Sequence, residues 1–394
     1  LIFFRPRLES LTFDFLTFHL GRMRGGSSPP RDQWKPDTLI SREPVFADSL
    51  ELVTLGGMYA DAFGIQKSGL EDLLLGRPSV SRWAEILERS LSHWQEEIGF
   101  FTSGSTGKPH RVTYPLLLLI EEVNTFMSIL SPFRRIVSLV DSHHIYGFLF
   151  TFLLPQLSSL PVLRVSPLGF RPEPGDLVVT VPQILRSWRN RELGWPPGVQ
   201  LLTSTAPLGM EEASWLQDIG VQHLEIYGSS ETAGIGTRSS GKEPFTLLPY
   251  WRQGAKDGTL ERSDLQGGLF VRELPDEVSW EGDRKLIPEG RKDQAVQVGG
   301  HNVYPQEIRR FLENLSGVKA ARVRVFDGPQ GPRLKAFLVP QDLVLLQNAT
   351  SLEAFEQSIR TECGNHLSSP QRPVRFTFGS TIPTTDLGKE ADWN

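Results

Sequence analysis

Cysteine is nearly absent: Cys363 stands alone in 394 residues. No disulfide can form within the chain, and that usage fits a reducing cytoplasm. With no cysteine-specific motif around it, Cys363 reads as a packing residue. Long apolar runs are missing too. The longest, near Leu116–Ile120, falls far short of the roughly 20 residues a membrane-spanning helix needs, so no membrane association is expected. Neither sign of charge dominates: 41 basic against 46 acidic side chains leave a net charge of -5 and a pI near 6.0. That balance argues against a nucleic-acid surface as the main business of the chain. There is no internal repeat and no low-complexity tract. The adjacent His143 and His144 lack the i, i+4 spacing of a metal-binding pair, so no zinc site is expected. A secretory leader is not recognisable: Leu1–Arg22 scatters Arg5, Arg7, Glu9, Asp14 and His19 among aromatics, with no unbroken apolar stretch. With Met23 as the first methionine, Leu1–Arg22 is read as a mobile tail or an overextended gene start, and residues 1–26 are set apart as an N-terminal tail.

What is present is an ordinary soluble composition, 39% hydrophobic and 22% charged, on a chain long enough for a large core plus a satellite domain. Helix-like periodicity covers Ser81–Glu97, and Leu116–Leu130 reads as a helix with Pro115 near its first turn. Val112–Tyr114, Ile136–Val140, Asp176–Thr180 and Val199–Thr203 read as short strands before turn or helix signals. The alternation predicts an α/β fold. From Gly290 the pattern changes: Ala295–Val298, Ala320–Phe326 and Leu334–Val339 read as strands, Pro305–Leu315 and Leu352–His366 as helices. The pattern predicts a large α/β domain over 27–290 and a compact α+β unit of about a hundred residues over 291–394.

Four segments carry candidate chemistry. The first is Phe101-Thr102-Ser103-Gly104-Ser105-Thr106-Gly107-Lys108-Pro109. Its glycines let several backbone N–H groups turn toward one anion, and its hydroxyls and Lys108 add donors for phosphate oxygens. It is no Walker loop, because Thr102 and Pro109 stand where glycine and Ser/Thr are required. It is no nucleophile elbow, because Ser103 occupies the first glycine position. A mobile Gly/Ser loop is the plain alternative. The second is Ile226-Tyr227-Gly228-Ser229-Ser230-Glu231-Thr232, where a carboxylate beside a phosphate site makes sense as a Mg²⁺ ligand; a helix N-terminus capped by Ser230 is the alternative. The third runs from Gly290-Arg291-Lys292-Asp293 through Val298-Gly299-Gly300-His301 to Gln306-Glu307-Ile308, and could be a surface turn between strands. The fourth, Pro383–Lys389, could be a solvated terminus.

In this order and spacing, from about Phe101 to Lys389, the four segments resemble the adenylate-forming superfamily of acyl- and aryl-CoA ligases, nonribosomal-peptide adenylation domains and luciferases, and in particular a compact 4-coumarate–CoA-ligase-like member. The resemblance implies that Thr102, Ser103, Gly104, Ser105, Thr106, Gly107 and Lys108 cradle the phosphates of ATP, and that Ser204-Thr205-Ala206-Pro207 contacts adenine. It implies nucleotide contacts from Tyr227, Gly228, Ser229 and Ser230, and Mg²⁺ held by Glu231. Asp276, fifteen residues before Arg291, is the implied ribose ligand together with Arg291; Asp283 competes but lies too near Arg291. His144, Tyr146, Gly147 and Gly234 are placed at the acid. Asp293 is the implied hinge, Gly299 and Gly300 border the thiol channel, and Lys389 is the catalytic lysine.

The chain departs from the family pattern in three ways. Pro109-His110-Arg111 replaces Pro-Lys-Gly, so the basic donor is Lys108 or Arg111. Gln297 stands where a lysine is usual. The front of the chain is short. The activity implied is ATP-dependent formation of an acyl-adenylate from a small carboxylic acid, aromatic or arylacrylic, followed by transfer to CoA or to the phosphopantetheine of an acyl carrier protein. A short aliphatic acid is the near alternative as substrate, and an amine or nitrite acceptor and a non-catalytic nucleotide binder are the competing readings.

Overall fold

The computed structural model describes residues 3–25, 33–93, 97–103, 109–239, 241, 243–263, 267–292, 295–328, 331–383 and 392–393, with the backbone alone at 102–103 and 109–110. The chain divides into two compact units, Leu1–Gly290 and Arg291–Asn394.

The first unit opens with three helices: α1 (Arg5–Met23), α2 (Ser49–Phe63) and α3 (Val80–His93). In place of the tail expected over 1–26, α1 is part of the core. It buries Leu8, Leu11, Phe13, Phe15, Leu16 and Leu20, each worth roughly 1.5–3 kcal/mol relative to exposure. Its Thr12 hydroxyl lies 2.7 Å from the Tyr59 hydroxyl of α2. The sequence hid this helix because Thr12, Asp14 and His19 are buried with the apolar residues, which blurs the 3.6-residue stripe. Local chemistry sets the bounds of α2. Asp48 and Glu51 form a capping box, and Gly64 ends the helix at φ 64°.

A hairpin of β1 (Glu97–Ser103) and β2 (Pro109–Pro115) follows, pairing Thr102 with His110 and Ser103 with Pro109. It leads into α4 (Leu116–Ile129). Then β3 (Arg135–Ser138), β4 (Val162–Arg164), β5 (Asp176–Thr180), β6 (Gln200–Thr203) and β7 (Gln222–Ser229) form a parallel array in the order β4-β3-β5-β6-β7. Between these strands run α5 (Ile145–Gly147), α6 (Leu154–Ser158), α7 (Pro182–Trp188) and α8 (Met210–Asp218). Every residue of β5 and β6 is buried, as expected for parallel strands covered on both faces. Antiparallel β8 (Ala233–Arg238) and β9 (Phe245–Leu247) extend the array. A separate sheet holds β10 (Arg252–Gln253), β11 (Thr259–Ser263) and β12 (Leu269–Glu273). The chain then returns to the large sheet with β13 (Asp276–Glu281) and β14 (Lys285–Arg291), completing nine strands. Strand order reverses around β3, and open α/β sheets bind ligands beyond the carboxyl ends of strands at such a point.

The second unit holds a hairpin, β15 (Val296–Val298) and β16 (His301–Val303), then α9 (Pro305–Glu313). A three-stranded sheet of β17 (Val318–Gly328), β18 (Gly331–Pro340) and β19 (Arg375–Phe378) is joined by α10 (Ala349–His366). Its own core gathers Val298, Val303, Ile308, Leu312, Leu334, Leu338, Ile359 and Cys363. Burial pushes the Cys363 thiol up to about 11, so this cysteine packs and does not react. Among the described residues no helix is long and apolar enough to cross a membrane.

Candidate active site

Three of the motifs fall where parallel strands end. The Ser142–His144 loop follows β3, Ser204–Pro207 follows β6, and Ser230–Thr232 follows β7. Parallel pairing therefore carries segments distant in sequence to one edge of the sheet.

Tyr227, near the end of β7, donates its hydroxyl hydrogen to Asp276 Oδ2 at 2.6 Å across 49 residues of sequence. Asp276 opens β13 and is buried, whereas Asp283 lies exposed beyond the same strand. Ser204 donates to the carbonyl of Ile226 at 2.9 Å, fastening the end of β6 to β7. The next residue, Thr205, has φ 78°, and its buried hydroxyl has no hydrogen-bond partner among the described residues. A β-branched residue with positive φ is sterically costly, and such strain gathers at functional sites.

Glu231 sits on a turn between β7 and β8, and not at the start of a helix. Ser229 Oγ accepts the backbone N–H groups of Glu231 at 3.1 Å and Thr232 at 3.2 Å. Thr232 Oγ1 accepts the N–H of Ser229 at 3.1 Å. The Tyr114 hydroxyl, from β2, donates to the Ser230 carbonyl at 2.8 Å and ties the turn to the hairpin whose ends flank the glycine-rich segment. Gly228 is required by packing, because a Cβ there would run into the Ala233 carbonyl.

On the proposed acid side, His144 caps a short helix, α5 (Ile145–Gly147), by accepting the Gly147 N–H at 3.4 Å. A π-helical turn, Phe148–Leu153, and α6 (Leu154–Ser158) continue it. The His144 ring lies parallel to Tyr146 with centroids 6.5 Å apart. Tyr146 is buried, and its hydroxyl is shared between the carbonyls of Thr180 at 3.0 Å and Leu202 at 2.7 Å. It anchors the helix to β5 and β6. Gly147 is dictated by the Asp141 carbonyl, which a Cβ would meet. Gly234 faces a residue the sequence reading missed: Glu122 of α4, buried, accepts the Gly234 N–H at 2.9 Å. Burial, opposed by that bond and by Arg262, raises the Glu122 carboxyl from 4.5 to about 7. The Gly234 carbonyl accepts from Trp251 Nε1 at 2.8 Å and from the Tyr250 hydroxyl at 3.3 Å.

Several expected site residues fall elsewhere. Gly104, Ser105, Thr106, Gly107, Lys108, Asp293 and Lys389 lie outside the described residues. Arg111 pairs with Asp61 of α2 at 3.3 Å. In the second unit, Gly299 and Gly300 have φ of 60° and 79° and form the two-residue turn of the β15–β16 hairpin, the backbone that glycine pairs allow. Gln297, where the family has lysine, hydrogen-bonds Asn302 across that hairpin. Tyr114 and Glu122 had no motif to mark them; the two carboxylates Glu121 and Glu122 within the otherwise apolar run Leu116–Val123 were the one available sign.

A mixed sheet with a parallel core, followed by a separate α+β unit, is the two-domain fold that adenylate-forming enzymes share. Amide bond synthetase McbA from Marinactinospora thermotolerans shares the fold at a TM-score of 0.61, with 17% identity, over 96% of this chain and 92% of that one. The o-succinylbenzoate–CoA synthetase MenE from Bacillus subtilis does so at 0.58, with 17% identity, over 74% and 67%. No protein-family model matches the chain. It is 33% identical over 388 residues to a 4-coumarate–CoA ligase of Rhodobacter capsulatus, across 93% of this chain and 94% of that protein. It is 32% identical to one of Halorhodospira halophila, across 94% of each. The chain belongs to the 4-coumarate–CoA ligase family of AMP-forming acid–CoA ligases.

Proposed function

We propose that this ligase activates a planar aryl or arylacrylic acid. The acid's carboxylate attacks the α-phosphate of ATP, pyrophosphate leaves, and the acyl group of the adenylate then passes to the thiol of CoA. The observation that carries the reading is the pairing of Tyr227 with Asp276 beside the Glu231 turn. It ties the carboxylate that we assign to the ribose to the strand that runs into the Glu231 turn, in a chain one third identical to a 4-coumarate–CoA ligase.

Both reactants are anionic, so the barrier is one of charge and position. Asp276 accepts hydrogen bonds from the ribose, with Arg291 as a second contact, and Thr205 offers its hydroxyl to the adenine. The backbone of Thr102–Gly107 and the side chain of Lys108 receive the phosphates, and Lys389 meets the charge developing between carboxylate and α-phosphate. The donors present fit Mg²⁺. Glu231 is one half-buried carboxylate. Mg²⁺ takes one or two carboxylates and completes its shell with phosphate oxygens and water. Held by Glu231, it would neutralise phosphate charge. The acid lies against His144 and Gly234, where a flat ring suits the neighbouring aromatic rings.

The test is acid-dependent ATP–pyrophosphate exchange across arylacrylic, benzoic and aliphatic acids, followed by thioester assays with CoA, a phosphopantetheinylated carrier protein and a free amine. Arylacrylic acids and CoA should give the highest kcat/KM. Lys389→Ala should slow exchange by about 10²–10³-fold, the usual effect of losing one such charge contact. Exchange supported by aliphatic acids alone would sink the aromatic reading, and an amine outrunning CoA would reassign the acceptor.

A further inference from the structure

The α1 helix reaches the acid-side loop with more than apolar packing. Asp14 is 4% exposed, and its Oδ2 accepts three donors: Ser142 N at 2.7 Å, Ser142 Oγ at 2.5 Å and Arg164 at 2.7 Å. Two of these come from the residue just before His143-His144, 128 positions away in sequence. One turn along α1, the Phe18 ring stacks on His143 with centroids 3.8 Å apart and planes at 18°. The His143 ring meets that of His144 edge-on at 5.0 Å. Next to Phe18, the buried His19 sits edge-on to Phe101 at 5.6 Å, on the strand that enters the glycine-rich segment. The loop is thus held from two sides. Tyr146 is tied to the carbonyls of β5 and β6, while Asp14 and Phe18 grip it from α1. Both grips are local and directional, and charge-assisted bonds to a buried carboxylate are strong.

We propose that α1 is an acid-selecting element of this enzyme, in which Asp14 is a positioning residue for the Ser142–His144 loop and Phe18 backs the ring wall that the acid meets. The inference rests on the reading that His144 borders the acid. Phe18 acts on the acid through two successive ring contacts, so its loss loosens the wall for a rigid planar ring more than for a flexible chain. The nucleotide is gripped by other strand ends and is largely spared.

The experiment uses the full chain with Phe18→Leu, Phe18→Tyr and Asp14→Asn. It measures kcat and KM for ATP, for 4-coumaric acid and for hexanoic acid in pyrophosphate exchange, with melting temperatures alongside. Phe18 is partly exposed, so Phe18→Leu should fold even where Asp14→Asn does not. Phe18→Leu should raise the KM for 4-coumaric acid by about five- to tenfold, the scale of one aromatic contact. The KM for ATP should stay within about twofold, the preference over hexanoic acid should shrink, and Phe18→Tyr should restore it. Unchanged acid preference in Phe18→Leu, or an equal rise in both KM values, overturns the inference and leaves the function standing. A wild-type protein with no acid-dependent exchange overturns the function, and this inference with it.

Discussion

At Tyr227 one hydroxyl joins two strands and, on the proposed reading, orients the carboxylate that meets the ribose. Tyr227→Phe removes the 2.6 Å bond to Asp276 but keeps the ring against Phe245. It should raise the KM for ATP about three- to tenfold, consistent with roughly 1 kcal/mol for one hydrogen bond, with little change in the KM for the acid; steady-state exchange kinetics decide this. Glu122 makes a pH prediction. Its folded carboxyl, raised from 4.5 to about 7 mainly by burial, keeps its proton where the unfolded chain has lost it. Its contribution to stability is therefore full below about 4.5 and lost as pH rises through 7. His223, lowered by burial to about 4 and hydrogen-bonded to Thr203, has the opposite slope: its contribution is present above 6.5 and lost as pH falls through 4. Glu122→Gln cannot ionise. It should flatten the fall in stability between pH 5 and 8, with a gain over wild type at pH 8 on the order of 1–3 kcal/mol, read by urea unfolding at each pH.

Elements position what residues supply. The Glu231 turn is held by Ser229 Oγ, which accepts two backbone N–H groups, and by Tyr114 from the neighbouring hairpin. Ser229→Ala should cost only about 1 kcal/mol of stability, because the turn is half-exposed. It should nevertheless raise the Mg²⁺ concentration for half-maximal exchange several-fold, since the carboxylate loses its fixed direction; a Mg²⁺ titration checks this. The strands of the sheet were readable in the sequence, because Asp176–Thr180 and Val199–Thr203 are short segments centred on Leu177–Val179 and on Leu201 and Leu202, and buried parallel strands favour such apolar centres. The β7–β8 turn was not. Tyr-Gly-Ser-Ser-Glu is as suitable for a helix start as for a hairpin, and the pairing of Glu225 with Arg238 that closes the hairpin is a tertiary choice. The same holds for α1, whose buried Asp14 and His19 look like surface residues until Ser142, Arg164 and Phe101 are placed around them.

Across the whole molecule, residues 291–394 carry their own core, from Val298 and Val303 through Leu338 to Ile359 and Cys363. A fragment of those residues should fold alone and unfold in one cooperative step, with the few kcal/mol or more typical of a domain of about 100 residues. Circular dichroism melts and urea titration test it, and a non-cooperative melt would count against it. By itself the sequence determined the α/β class, the change of character at Gly290 and the order of the chemical segments. These are written in local patterns: apolar periodicity, turn glycines and short motifs whose residue types carry their chemistry directly. Only the tertiary structure decided that Asp276 and not Asp283 meets Tyr227, that Glu122 lies against Gly234, and that α1 belongs to the core and touches the Ser142–His144 loop. Each of those facts depends on which strand ends and helix faces come together. A contact between residues 49, 112 or 128 positions apart leaves no periodic trace in the chain, because it is made by packing and not by local backbone preference.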